Sequence, residues 1–217
     1  MTMRQILLYA VSLFIISILP ACMDLKQPSL DMQYYTLEYE APAFTERETL
    51  PYIIKVENFN AAPLYNTTAI IYKERAYNRG SYPYHRWMTA PADIITYLLG
   101  RDLKNSGMFK GVIMPGERNR EVSFRLAGMI DEFHELERDR EHYGVMSVSI
   151  TLTPVSGKGA KGMDIFQKSY SVTEKMEREN PAALAEALSR AMQKMSQEIG
   201  TDINDYINKG LLTLKQM

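Results

Sequence analysis

The segment VMSVSITLTP, residues 145–154, places Met146, Val148, Ile150 and Leu152 on one side of an extended chain and Ser147, Ser149 and Thr151 on the other. Alternation with a period of two predicts a strand with one face in a core and one in water. VSFRLAGMID, 122–131, repeats the pattern with Val122, Phe124, Leu126, Gly128 and Ile130 inward. YIIKVENF, 52–59, is apolar on both faces in its first half and predicts a central strand. QYYTLEYE at 33–40, TAIIYKERAY at 68–77, FKGVIM at 109–114 and IFQKSYSVTEKM at 165–176 bring the expected strands to about six or seven. NRGSYPYHRWMT, interrupted by Gly80 and Pro83, is expected to be irregular, and GKGAKG at 157–162 to be a hairpin turn. In DEFHELERDREHYG, acidic and basic residues alternate as on a solvated rim, so this stretch is expected to carry the hairpin out into solvent.

Two segments switch to helical periodicity. Ile94, Ile95, Leu98, Leu99 and Leu103 form one helix face that starts at Pro91, with Gly107 as the terminating residue. The second helix has Asn180 as its N-cap and Pro181 in its first turn. Leu184, Leu188, Ala191, Met195, Ile199, Ile203 and Tyr206 recur along it at steps of three and four, and Gly210 is expected to end it. At 1.5 Å per residue this helix spans roughly 40 Å, enough to cross a sheet. The predicted fold is α/β in the α+β sense. It is a two-layer sandwich: a mixed or antiparallel sheet with two amphipathic helices on one face.

The N-terminus follows a different pattern. Arg4 precedes Ile6–Leu19, which holds no charge, and Pro20, Ala21 and Cys22 follow. Basic, apolar and small residues in that order make a secretory signal, and the apolar run is shorter than the roughly 20 residues of a membrane span. Ordinary cleavage wants small residues at both −1 and −3, but here Leu19 stands at −3. Leu19, Ala21 and Cys22 instead look like a bacterial lipobox, with cleavage between Ala21 and Cys22. Cys22 is the only cysteine of the chain, and a thioether to diacylglycerol gives a lone thiol a use that needs no disulfide partner. The alternative is an N-terminal membrane anchor with an incidental cysteine. Buried methylenes are worth about 0.8 kcal/mol each, so three acyl chains on Cys22 would hold the protein at a membrane. Met23 follows the cysteine where an aspartate would signal inner-membrane retention, which points to the outer membrane. The expected organisation is a signal peptide at 1–21, a flexible tether at 22–32, one domain at 33–212 and a tail at 213–217.

Composition adds exclusions. The net charge of −1 and pI near 6.3 give no basic excess for nucleic acid. His85, His134 and His142 show no metal-ligand spacing, although deep pocket placement of any of them would favour a hydrolase. No G-x-S-x-G or H-E-x-x-H motif is present, and an enzymatic activity has no positive support. No metal and no cofactor beyond a covalent lipid on Cys22 is expected. Nine of the fourteen tyrosines lie between residues 34 and 84, ahead of Trp87. In YPYHRWMTAP the group Tyr84, Arg86 and Trp87 has the composition of a protein-contact hot spot. Trp87 could equally cap the core at the first helix, with Arg86 paired to a carboxylate.

The order of a lipobox cysteine, YYTL, IIKVENFNAAPLY, AIIYKE, RW before a helix, MF, a meander and a long helix with SQEIGTDI resembles the ABC-type transport auxiliary lipoproteins. These include the PqiC-like lipoproteins of MCE-type lipid transport systems. The likeness runs from Tyr34 to Ile207. Tyr34, Tyr35 and Leu37 match the family's first strand, Pro63 and Tyr65 its turn, Ile70–Tyr72 its next strand, and Arg86–Trp87 its central signature. Asn66–Thr67 departs from the family's usual Asp-Arg, and Met88, Thr89 and Ala90 delay the proline that usually follows. The resemblance implies a non-enzymatic subunit in the cell envelope, lipid-anchored and facing the periplasm. Such a subunit docks on an MCE-type bridging component of a transporter, helps move lipid or another hydrophobic compound, and assembles in several copies. A competing class is an envelope regulator, such as an activator of a cell-wall synthase, with no transport role.

Overall fold

The computed structural model describes residues 31–44, 48–118, 121–155 and 164–215, the side chains of 211 and 213–215 excepted. Ala21 and Cys22, the expected tether up to residue 30 and the expected turn at 157–162 lie outside the described residues. Among the described residues there are nine strands: β1 (Gln33–Tyr35), β2 (Leu50–Val56), β3 (Asn60–Ala61), β4 (Ala69–Arg75), β5 (Asn78–Trp87), β6 (Phe109–Ile113), β7 (Phe124–Arg138), β8 (Glu141–Pro154) and β9 (Phe166–Lys175). The helices are α1 (Pro91–Asn105) and α2 (Pro181–Lys215). The fold is α+β with an open mixed sheet, as expected, although two more strands form than the upper expectation of seven.

The sheet is organised around β7. One of its edges pairs antiparallel with β8 over its full length, from Phe124↔Pro154 to Arg138↔Glu141, and β9 continues beyond β8. The other edge takes β2, β3 and β4 in succession, all parallel, at Ile54↔Phe124, Asn60↔Met129 and Tyr72↔Glu135. β6 extends the sheet from β2, while β5 and then β1 extend it from β4. The alternation in β8 is as expected: Met146, Val148, Ile150 and Leu152 are buried, and the intervening Ser and Thr are half-exposed. β7 alternates only as far as Ile130. A register shift between Ile130 and Glu132 resets the phase, so Phe133 is the next inward apolar residue. This corrects the picture of a solvated rim. His134 and Glu135 are both buried, His134 beneath the Tyr65 ring and Glu135 against Tyr82 and His142.

Three other expectations change. The first strand ends at Tyr35 rather than residue 40. Beyond it the backbone is tied to helix side chains instead of a ladder: Glu38 N donates to Ser189 Oγ, and Gln193 Nε2 donates to the carbonyl of Glu40. The stretch around Gly80 and Pro83 is a ten-residue strand, β5. Its register slips from Ile71↔Ser81 to Ala69↔Arg86, which absorbs the proline. Gly80 leaves room for the Tyr72 ring, which a Cβ there would overlap at 2.2 Å. Finally, α2 does not stop at Gly210 but runs on to Lys215, into the expected tail. A helical glycine costs only about 1 kcal/mol, which neighbouring turns offset.

Both helix starts are as read from sequence. Pro91 opens α1, and Gly107 with φ 67° follows its end. Asn180 Oδ1 accepts from Ala183 N at 2.9 Å. The two helices share one continuous core with the sheet, and α2 lies so close to β8 that a Cβ at Gly144 would sit 3.2 Å from Ala187 Cβ. Burying each Leu, Ile or Phe of such a core is worth about 1.5–3 kcal/mol.

Candidate functional site

β5 carries the three residues expected at a contact, and the structure separates them. Trp87 is 1 % exposed, with its ring 5.1 Å from Phe133 at 66°. It is a core residue and offers no surface, which corrects the expectation that it touches a partner. The physical reason is register. Pairing with Thr68 and Tyr35 fixes the place of Trp87 in the sheet, and its ring packs in the core that the sheet shares with both helices. Arg86 is half-buried, and its Nη1 donates to the carbonyls of Tyr82 and His85 at 2.8 and 3.2 Å. These contacts to its own strand take the place of the carboxylate partner expected for it. Only Tyr84 presents a large exposed side chain.

Because Trp87 points inward, alternation turns residues 84, 86 and 88 outward, and pairing Tyr34↔Arg86 turns 32 and 34 outward beside them. Met32, Tyr34, Tyr84 and Met88 are 40 %, 58 %, 43 % and 60 % exposed. Tyr34 and Met88 were not singled out from sequence as members of this face. The signal for them was the parity of one inward residue, which sequence alone left open.

The three histidines do not converge. His85 Nδ1 lies 3.0 Å from Tyr35 Oη, and His134 Nδ1 lies 3.1 Å from Tyr65 Oη beneath a stacked ring. His142 Nδ1 lies 2.7 Å from Glu135 Oε1, with Nε2 3.6 Å from Glu179 Oε2. Burial, with a smaller contribution from Arg79 and Lys73, pushes His134 down from 6.5 to about 4, so it is neutral at ordinary pH. Among the described residues no group of His, Cys, Asp or Glu is arranged to hold a metal.

His142 lines a cleft of about 260 Å³ with Tyr72, Tyr82, Glu135, Glu137 and Glu179. Glu135 also accepts from Tyr82 Oη at 2.8 Å. Burial, and then that bond to Glu135, raise the Tyr82 phenol well above its usual range. Both ring nitrogens of His142 face carboxylates, Glu135 at 2.7 Å and Glu179 at 3.6 Å. Sequence reasoning missed this cluster because Glu135 and His142 meet only once the hairpin register is known.

No helix among the described residues is long and apolar enough to cross a membrane. A family model described as ABC-type transport auxiliary lipoprotein component matches residues 35–200. Among solved structures, the chain is similar to a Xanthomonas campestris protein of the DUF330 family. That match has a TM-score of 0.72 and 14 % identity, and covers 82 % of this chain and 97 % of that one. A second solved structure, of an uncharacterized protein, gives a TM-score of 0.62 at 13 % identity, covering 80 % of this chain and 99 % of the other. At these identities the likeness is one of fold. A search of curated proteins gave no match.

Proposed function

The chain belongs to the family of ABC-type transport auxiliary lipoprotein components, and from that premise we propose that it is a periplasm-facing subunit of an MCE-type transport system. In this reading Cys22 carries the lipid after cleavage behind Ala21, and the anchor lies in the outer membrane. The folded part docks on the bridging component and assists the passage of lipid or another hydrophobic compound across the envelope. The observation that carries the reading is the family match over 35–200. The order Leu19, Pro20, Ala21, Cys22 supports it independently, because it supplies the attachment chemistry that a lipoprotein needs.

The family is one of transport auxiliaries and not of enzymes. The acids and histidine of the cleft fit that role, since they bind one another rather than leaving a nucleophile next to a base.

Two measurements test the proposal. Cells fed labelled palmitate should mark the wild type and not Cys22→Ser. Equal labelling of both, or none in either, removes the anchor. Crosslinking in intact cells should then join the protein to MCE or ABC components. Adducts confined to cell-wall synthases would replace transport with envelope regulation.

A further inference from the structure

The outward face of the β1–β5 edge has a composition that a water-exposed sheet rarely keeps. Met32, Tyr34, Tyr84 and Met88 stand exposed around Arg86, with no acidic residue among the five. Tyrosine combines an apolar ring with a polar tip and suits the boundary between hydrocarbon and water. Arginine supplies donors that match a phosphate.

The chain's own length decides what can reach this face. Between Cys22 and Met32 there are ten peptide steps, which span at most roughly 35 Å. A domain of this length is about 40 Å across, so a path around it to the far side is roughly 60 Å. A bilayer that holds Cys22 can therefore not touch the side of the domain opposite Met32. The exposed face starts at that residue and continues through its paired strand.

We infer that the β1–β5 face, built from Met32, Tyr34, Tyr84, Arg86 and Met88, lies against the phospholipid headgroups of the membrane that holds the anchor. The inference rests on the reading of Cys22 as lipidated and adds an orientation to it. The β1 edge is the membrane-proximal end of the domain, and the β6 edge faces away.

The test uses the full lipidated protein in vesicles of phosphatidylethanolamine and phosphatidylglycerol that contain a headgroup spin-labelled lipid. With Cys22 acylated, an introduced cysteine is the single free thiol. Tyr34→Cys, Tyr84→Cys and Met88→Cys are each labelled with a fluorophore and compared with Lys110→Cys on β6. The three edge positions should be quenched at least about twofold more than position 110, as expected for groups held at headgroup depth. Equal quenching at all four positions, with the protein still floating with the vesicles, overturns the orientation and leaves the anchor intact. Protein that neither floats nor carries palmitate removes the anchor itself, and the orientation with it. A photocrosslinker at position 84 that yields only protein adducts in cells, and none with lipid, also overturns it and gives the face to a protein.

Discussion

Acid should loosen this fold through His134. The ring is 2 % exposed, stacked on Tyr65 with 10° between planes, and its Nδ1 lies 3.1 Å from the phenol oxygen. Burial first, then Arg79 and Lys73, hold its folded-state value at about 4 against 6.5 for a free imidazole. The folded protein therefore refuses a proton that the unfolded chain accepts. The stability this group contributes is complete above pH 6.5 and declines as pH falls, levelling off near pH 4. At about 1.4 kcal/mol per pH unit the whole loss is about 3 kcal/mol, and about 2 kcal/mol of it is gone by pH 5.

Urea titrations of the detergent-solubilised protein at pH 7, 6, 5 and 4.5, alongside His134→Gln, isolate this contribution. Every other ionisable group is common to the two proteins, so its contribution cancels in the difference. The variant should be less stable at pH 7 because it lacks the stacked ring. Its deficit should shrink by about 2 kcal/mol on going to pH 5. Parallel stability curves for the two proteins would refute the argument. So would an imidazole proton resonance of His134 that titrates near 6.5.

Trp87→Ala should cost about 3–5 kcal/mol of stability, read as a lower urea midpoint, whereas Tyr84→Ala should stay within about 0.5 kcal/mol. Equal effects would mean that Trp87 is not packed as described. Asp102 is fully buried and accepts from Tyr39 Oη at 2.6 Å and from Arg101 Nε at 2.9 Å. Asp102→Ala should cost about 2–4 kcal/mol, because it strands two half-buried donors, one of them charged, while Tyr39→Phe should cost about 1 kcal/mol. Thermal unfolding of the two variants should rank them in that order.

What was legible in the sequence followed from local rules. Asn180 and Pro181 mark the start of α2 whatever it packs against, and the alternation in β8 needs only one buried face. What was not legible depended on partners far along the chain. The turn Asp139–Arg140 has positive φ at both residues, 55° and 65°, without the glycine or asparagine that usually announces such a hairpin. The bulge after Ile130 has no signature of its own. It puts Phe133 and Glu135 in the inward phase, and His134 is buried by the distant Tyr65 instead. Pro83 argued against a strand, yet β5 accommodates it where the pairing with β4 is already slipped. Gly210 argued for a helix end, but a glycine only weakens a helix that the rest of the turn supports.

The Arg86–Trp87 pair shows why composition alone could not place the site. A buried aromatic beside a half-buried arginine is as common at a core boundary as at a contact surface, since both settings exclude water. One geometric fact separates the two settings. Once Tyr35↔Trp87 and the Phe133 contact fix Trp87 as inward, the paired neighbours Tyr34 and Arg86 must be outward, although the slip below Arg86 breaks the alternation further along β5. The outward set is a continuous row of tyrosine and methionine at the point where the chain leaves toward Cys22. The same parity that withdraws Trp87 from a partner therefore exposes Tyr34, Tyr84 and Met88. A substitution that flipped this parity, such as one extra residue inserted between Tyr84 and Trp87, would exchange core and surface together. Loss of folding and loss of the exposed row would then come from a single change.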